Sequence, residues 1–386
     1  MKIEVVNDIE RFKSLREEWN NLLNKSSSNT FFLTWEWLYT WWKIFGKKNS
    51  LFILLYRDSL GCLQGVFPLY IKKRKIANLL SISELRFIGS GADISSEYLD
   101  SICFSGLENE IINIFMDYLF TRRRPWDILC LSDINQESES MKHTIAYLIS
   151  KNIDSFTKAQ RPFCPVIKLN KSDDWDIFLK SRNKSLRENM RRWRKKVKEK
   201  FKVEYLTYDS FPSLNGLFNK FVELHGMRRG QKDGVSRFTN KNYLEFHKNL
   251  IPLISQNKWL QFSILQLDSN IVAAKYNFKY KNKVYSYQGG WNPKFARFNV
   301  GQVLFSYIME DSANNGIAEV DMLRGEESHK MRWANSIKKK NRVIISNSKL
   351  GNIYVACCRT KSKCIRLIKQ LLPEKIKKKI EDKVYK

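Results

Sequence analysis

Apolar and polar residues alternate along this chain at two periods, and the switches between them predict its elements. Spacing near 3.6 marks helices over residues 9–25 and 34–45, the second carrying Trp35, Trp37, Trp41 and Trp42. The runs LFILLYR (51–57) and LQGVFPLYI (63–71) read as strands joined by a turn through Asp58 and Gly61. ELRFIG and EYLDSICF follow, then a helix over 107–121, the strand DILCLS (127–132), a helix over 138–151, and strands near 153–157 and 164–169.

The second half repeats this rhythm. Helices over 173–200, 210–228 and 239–256 precede WLQFSILQL (259–267), IVAAKYNFKY (271–280) and KVYSYQGGW (283–291). Turn residues Asp268, Ser269 and Asn270, then Lys281 and Asn282, make these three strands a meander. A helix over 300–315, the strand IAEVDML (317–323), a helix containing HKMRW and the strand RVIISN (342–347) complete the set. The shared order predicts a duplicated α/β (α+β) unit. We place domains at 1–170 and 171–350, with the boundary near Lys171 to Asp174, and a basic helical tail at 351–386.

Composition supports two cores: 386 residues, 43% hydrophobic and 13% aromatic, exclude a disordered chain despite 28% charge. The formal net charge of +29 points to nucleic acid, an anionic membrane or anionic small molecules, and equally to a lysine-rich proteome. Seven cysteines without a CxxC pair, several inside apolar runs, read as reduced thiols. Four histidines, at 143, 225, 247 and 329, lack metal-ligand spacing, so no metal is expected. The charged start and the absence of an 18-residue apolar run predict a cytoplasmic protein. The basic amphipathic tail leaves peripheral contact with the anionic inner face of a membrane open.

Two stretches carry the chemistry. In RFNVGQVL, Asn299 is a good N-cap, and Val300, Val303, Leu304, Tyr307 and Ile308 share one helical face. Free N–H groups are therefore expected at Gly301, Gln302 and Val303, backed by the helix dipole and by Arg297, the conditions for holding a phosphate. In EVDMLRGEESHKMRW a strand runs into Arg324, Gly325, Glu326, Glu327, His329, Lys330 and Arg332, which is how α/β enzymes place polar groups at the mouth of a sheet.

YSYQGGWNP, NVGQVL and VDMLRGEESHKMRW together resemble the CelD-like acetyltransferases of cellulose and exopolysaccharide biosynthesis. These are GNAT-superfamily enzymes akin to the FemAB-type tandem GNAT transferases. The resemblance implies tandem GNAT-like domains, each a mainly antiparallel sheet flanked by helices, the first degenerate. It implies an acyl-CoA donor such as acetyl-CoA, with a sugar, sugar nucleotide or other glycan precursor as acceptor. It leaves two alternatives: aminoacyl transfer from tRNA, and a non-catalytic assembly factor. The phosphate turn keeps only Arg297 and Gly301 of the usual pattern, and His329 stands where tyrosine is commoner.

Roles follow from the chemistry of acyl transfer, which needs a proton acceptor, an oxyanion site and a thiol exit. The resemblance places the oxyanion donors at the backbone of Gln288, Gly289 and Gly290. Glu326 is the first candidate base and Asp321 its rival, Asp321 being as readily a buried partner of Arg324 or Lys330. His225, in HGMRRGQKDG, is a third candidate set against a structural role. Arg324, Lys330, Arg228 and Arg229 suit an anionic substrate group, while Tyr287 and Trp291 offer stacking surfaces. The run RNKSLRENMRRWRKKVKEK predicts an amphipathic helix docked by Leu186, Met190, Trp193 and Val197, either scaffold or a contact for an anionic polymer.

Overall fold

In the computed structural model, residues 2–76, 80–94, 96–121, 126–170, 174–210, 214, 216–231 and 234–371 are described. The chain divides into two compact units: Met1–Pro162 together with the chain from Lys339, and Phe163–Lys338.

The first unit contains β1 (Lys2–Val6), α1 (Ile9–Ser14), α2 (Arg16–Asn24), α3 (Trp35–Phe45), β2 (Ser50–Arg57), β3 (Leu63–Ile76), β4 (Leu80–Phe87), β5 (Ile102–Cys103), α4 (Glu108–Thr121), β6 (Ile128–Asn135) and α5 (Glu139–Ser150). Its strands run in the order β1-β2-β3-β4-β6, with β13 (Ser336–Ser346) beyond β6. All pairs are antiparallel except β4 with β6. The tryptophan-rich helix is core: Trp37 and Trp41 are fully buried, and three indole N–H groups of this region find acceptors while that of Trp41 has none among the described residues. Trp35 Nε1 donates to Phe12 O (2.8 Å), Trp37 Nε1 to Ser96 Oγ (2.9 Å) and Trp19 Nε1 to Leu33 O (2.9 Å).

The second unit begins inside β7 (Ser155–Lys168) and continues through α6 (Trp175–Lys180), α7 (Lys184–Lys198), β8 (Val203–Tyr208), α8 (Leu217–Gly230), α9 (Lys241–Gln256), β9 (Leu260–Leu267), β10 (Asn270–Tyr280), β11 (Lys283–Trp291), α10 (Val300–Asn314), β12 (Glu319–Asp321) and α11 (Ser328–Trp333). The strand order is β8-β9-β10-β11-β12-β7, antiparallel except for β11 with β12. The fold class is thus the mixed, mainly antiparallel α/β expected.

Several expected elements change. One helix over 173–200 becomes two, because Asn183 caps α7 by accepting from Leu186 N–H at 2.8 Å; residues 171–173 lie outside those described. The docking stripe of α7 is as expected, with Leu186, Met190 and Val197 buried and Trp193 partly so. The strands near 153–157 and 164–169 are one, β7. EYLDSICF shrinks to Ile102–Cys103, and IAEVDML to Glu319–Asp321. β12 ends early because Leu323 takes φ 55°, a left-handed turn fixed by the Asp321 carboxylate accepting Leu323 N–H at 2.8 Å. Edge strands β1 and β8 were not expected; their half-polar sequences, KIEVV and VEYLTY, suit edges with one exposed side.

Candidate active site

The site elements all lie in the second unit, and the end of β11 organises them. From β10 to β11 the register slips between the pairs Tyr276–Gln288 and Phe278–Tyr285, so β11 carries one extra residue, a β-bulge at Ser286–Tyr287. Beyond Tyr285 the parallel ladder to β12 stops. The chain leaving β12 stays with β7 instead, Met322 N–H bonding Pro165 O and Gly325 N–H bonding Phe163 O, both at 3.0 Å. Residues 286–291 therefore keep β10 on one side and, among the described residues, have no strand partner on the other, an unpaired backbone edge at Gln288, Gly289 and Gly290.

The two glycines serve packing as well. A Cβ on Gly290 would stand 2.4 Å from His225 N, so α8 rests directly on this strand; one on Gly289 would meet the Lys275 stem at 3.2 Å. Arg228, from α8, donates through Nη1 to Gly289 O at 2.7 Å. HGMRRG and QGGW, distant in sequence, thus meet at the bulged strand; residues 232–233 of that loop lie outside those described.

Across the opening, Lys330 Nζ donates to Arg324 O at 2.7 Å and pairs with Glu327 at 3.4 Å. Gly325 makes this possible: at φ 130° a side chain is strained, and a Cβ would meet Glu327 Oε2 at 2.2 Å. Burial pulls the Glu327 carboxyl upward, but Lys330 and its neighbours win and hold it below the usual range. Arg324 is half-buried above this turn. Glu326 is exposed, one carboxylate oxygen accepting Phe163 N–H at 3.0 Å.

Asp321 is fully buried and pairs with Lys338 at 3.4 Å, while Glu319 also holds Lys338. Lys338 was not among the partners expected for Asp321, which were Arg324 or Lys330. His225 is buried, its Nδ1 2.8 Å from Ser236 Oγ, and burial followed by Arg228 and Arg229 pushes its pKa down to about 4. The imidazole is therefore neutral at physiological pH. Tyr287 is no stacking surface: it lies among His247, Tyr276 and Phe278 with its ring 5.0–6.0 Å from theirs. Gln288 donates to Tyr243 Oη at 3.2 Å.

The start of α10 departs from expectation in one respect. Asn299 adopts φ 51° and makes no side-chain cap, and its carbonyl takes both Gln302 N–H (2.8 Å) and Val303 N–H (3.0 Å). Those two amides are therefore not free; among the described residues only Val300 and Gly301 of that first turn have no acceptor. Gly301 is covered on one side by Trp291, whose Cδ1 would lie 3.3 Å from a Cβ there. Basic groups surround the turn: Arg297 is exposed, Lys196 Nζ donates to Arg297 O at 3.2 Å, and Arg297, Lys196 and Lys200 all lie within 6 Å of the Phe298 ring. The two motifs touch, since Trp333 Nε1 donates to Gln302 Oε1 at 3.0 Å and the Phe305 and Trp333 rings meet edge-on at 5.2 Å.

Lys275 was not among the expected site residues, and His329, part of the charged run after β12, was given no role of its own. Lys275 is half-buried on β10, its Nζ donating to Ser286 Oγ at 2.9 Å and lying 5.0 Å from the Phe305 ring centre. Burial, then Arg228 and Lys330, push its pKa down to about 7. Burial, then Lys275, push His329 down to about 4. A lysine inside the apolar strand IVAAKYNFKY gave a signal in sequence, since an uncompensated cation there is costly. Among the described residues no group of three or more His, Cys, Asp or Glu is placed to hold a metal, and no helix is long and apolar enough to cross a membrane.

Residues 184–331 match the family profile of the acetyltransferase (GNAT) domain, so the second unit carries a domain of that class. The chain is similar in fold to FemX, at 10% identity and a TM-score of 0.61 over 92% of this chain and 99% of that one. It is similar also to a conserved protein of unknown function from Bacteroides thetaiotaomicron VPI-5482, at 11% identity and a TM-score of 0.55 over 89% and 100%. No curated protein matches the sequence.

Proposed function

We propose that the second unit transfers an acyl group, acetyl in the simplest case, from an acyl-CoA to a nitrogen or oxygen of a sugar, sugar nucleotide or other cell-envelope precursor. The observation that carries this reading is the bulged, unpaired edge of β11 beside the first turn of α10. Backbone N–H groups along such an edge are rigid donors for the oxyanion that forms when a nucleophile adds to a thioester carbonyl. The free amides of Val300 and Gly301, with Arg297 and Lys196, suit the phosphates of CoA.

In the reaction the acceptor's amine or hydroxyl attacks the carbonyl carbon and gives its proton to Glu326, held by Phe163 N–H. The tetrahedral intermediate collapses, the C–S bond breaks, and the CoA thiolate leaves and takes up a proton. Asp321, closed in its pair with Lys338, keeps the turn after β12 in shape. The CelD-like motifs favour a polysaccharide precursor as acceptor.

Acetyl-CoA at 100 times its Kd should stabilise the protein by about 2.7 kcal/mol, read as a rise in melting temperature. The exposed pair Arg297→Glu with Lys196→Glu should remove most of that rise without lowering the melting temperature of the unliganded protein. No rise with any acyl-CoA would contradict the reading.

A further inference from the structure

Lys275 is held in an unusual setting. Its stem runs along Gly289, where any side chain would crowd it at 3.2 Å, and its amine has one polar partner among the described residues, Ser286 Oγ. Arg228 reaches the same residue, Gly289, from α8. Lys330, at the turn after β12, bears on the Lys275 amine electrostatically. The charged and titratable groups facing Lys275 are Arg228, Lys330, Glu327 and His329. One carboxylate, Glu327, thus faces three cations and is already paired with Lys330. A half-buried excess of positive charge costs stability and needs an anion to satisfy it.

We infer that Lys275, Arg228 and Lys330 form a seat for one phosphate or carboxylate group at the unpaired edge of β11, and that the seat takes up a proton as it fills. Arg228 is charged at any physiological pH, whereas Lys275 is charged only part of the time near neutrality, its pKa standing at about 7. An anion beside the amine favours the ammonium form and raises that pKa again. Binding therefore draws a proton from solvent, and affinity falls as pH rises above 7. Assigning the seat to the acyl acceptor, which would then be an anionic molecule, rests on the acyl-transfer reading; the seat itself does not.

The test uses the full chain and sulfate, whose charge is constant from pH 6 to 9, with acetate as the carboxylate probe. Calorimetric titration in two buffers of different ionisation enthalpy should show proton uptake on sulfate binding at pH 8. The Kd should weaken by about an order of magnitude between pH 6.5 and 8.5. Lys275→Met should bind sulfate weakly with a flat pH profile, and Lys275→Arg should keep binding but lose the pH dependence. Zero proton uptake by the wild-type protein overturns the proposal, whether or not the variants fold. Equal sulfate affinity and pH profile in Lys275→Met also overturn it. Acetyl-CoA titrations separate the two sources: an acceptor seat leaves acetyl-CoA affinity unchanged in Lys275→Met, while a donor seat weakens it in parallel with sulfate. If acetyl-CoA fails to bind but sulfate behaves as stated, the acyl-transfer reading falls and the anion seat stands.

Discussion

The two units share a strand plan and treat charge in opposite ways. Each has four antiparallel strands, β1 to β4 and β8 to β11, whose fourth member pairs in parallel with a later strand, β6 or β12. In the first unit the β3–β4 register is unbroken from Leu69–Phe87 to Ile76–Leu80. Two of its buried charge clusters are matched by opposite charge: Glu84 with Arg86 at 3.2 Å and Arg74 at 3.6 Å, and Lys340 with Glu97 and Asp133. In the second unit the corresponding β10–β11 register is bulged, and Arg228, Lys275 and Lys330 outnumber Glu327. A closed ladder with paired charges is a scaffold. An opened ladder with surplus charge is a place left for a ligand.

Charge deletion should break this comparison most sharply. Lys340→Met strands Glu97 and Asp133 without their cation and should cost about 3–5 kcal/mol in urea unfolding. Lys275→Met removes a cation that has no carboxylate in ion-pair contact among the described residues, and it should leave stability at pH 7 unchanged or higher. Equal losses in both would mean that the second cluster is as structural as the first.

A smaller effect lies in pH. The unfolded Lys275 titrates near 10.4, the folded one at about 7, so between those values the unfolded chain binds more protons and stability rises with pH. The cost of the buried ammonium is full below pH 7 and relieved above it. From pH 7 to 9, wild type should gain about 1–2 kcal/mol relative to Lys275→Met. A parallel pH profile for the two proteins would deny that Lys275 is charge-strained.

The elements of the second unit were legible where periodicity and turn residues agreed. KVYSYQGGW became β11 over Lys283–Trp291, bounded by Asn282 and the Asn292–Pro293 turn, and the stripe Leu186, Met190, Trp193, Val197 set the docking of α7. What the pattern did not contain was the bulge at Ser286–Tyr287, because an extra residue in a ladder shows only against its partner strand. That slip explains why Tyr287 turns into the aromatic core and not toward a ligand. Asn299 misled for a related reason: its residue type suits an N-cap, but its left-handed backbone brings its carbonyl, and not its side chain, to the first turn. The position of Lys275 beside Arg228 was out of reach, since strand and helix lie some fifty residues apart and meet only through Gly289. Cys103, Cys130 and Cys164 are buried free thiols, as their apolar neighbours implied, whereas Cys62 and Cys357 are exposed.

Amide hydrogen exchange with and without acetyl-CoA addresses the central claim most directly. The account predicts that the ligand slows exchange at the β11 edge, residues 286–290, and at Val300 and Gly301, leaving β2 to β4 of the first unit unchanged. Protection confined to the first unit, or none at either stretch with acyl-CoA present in excess, would contradict it.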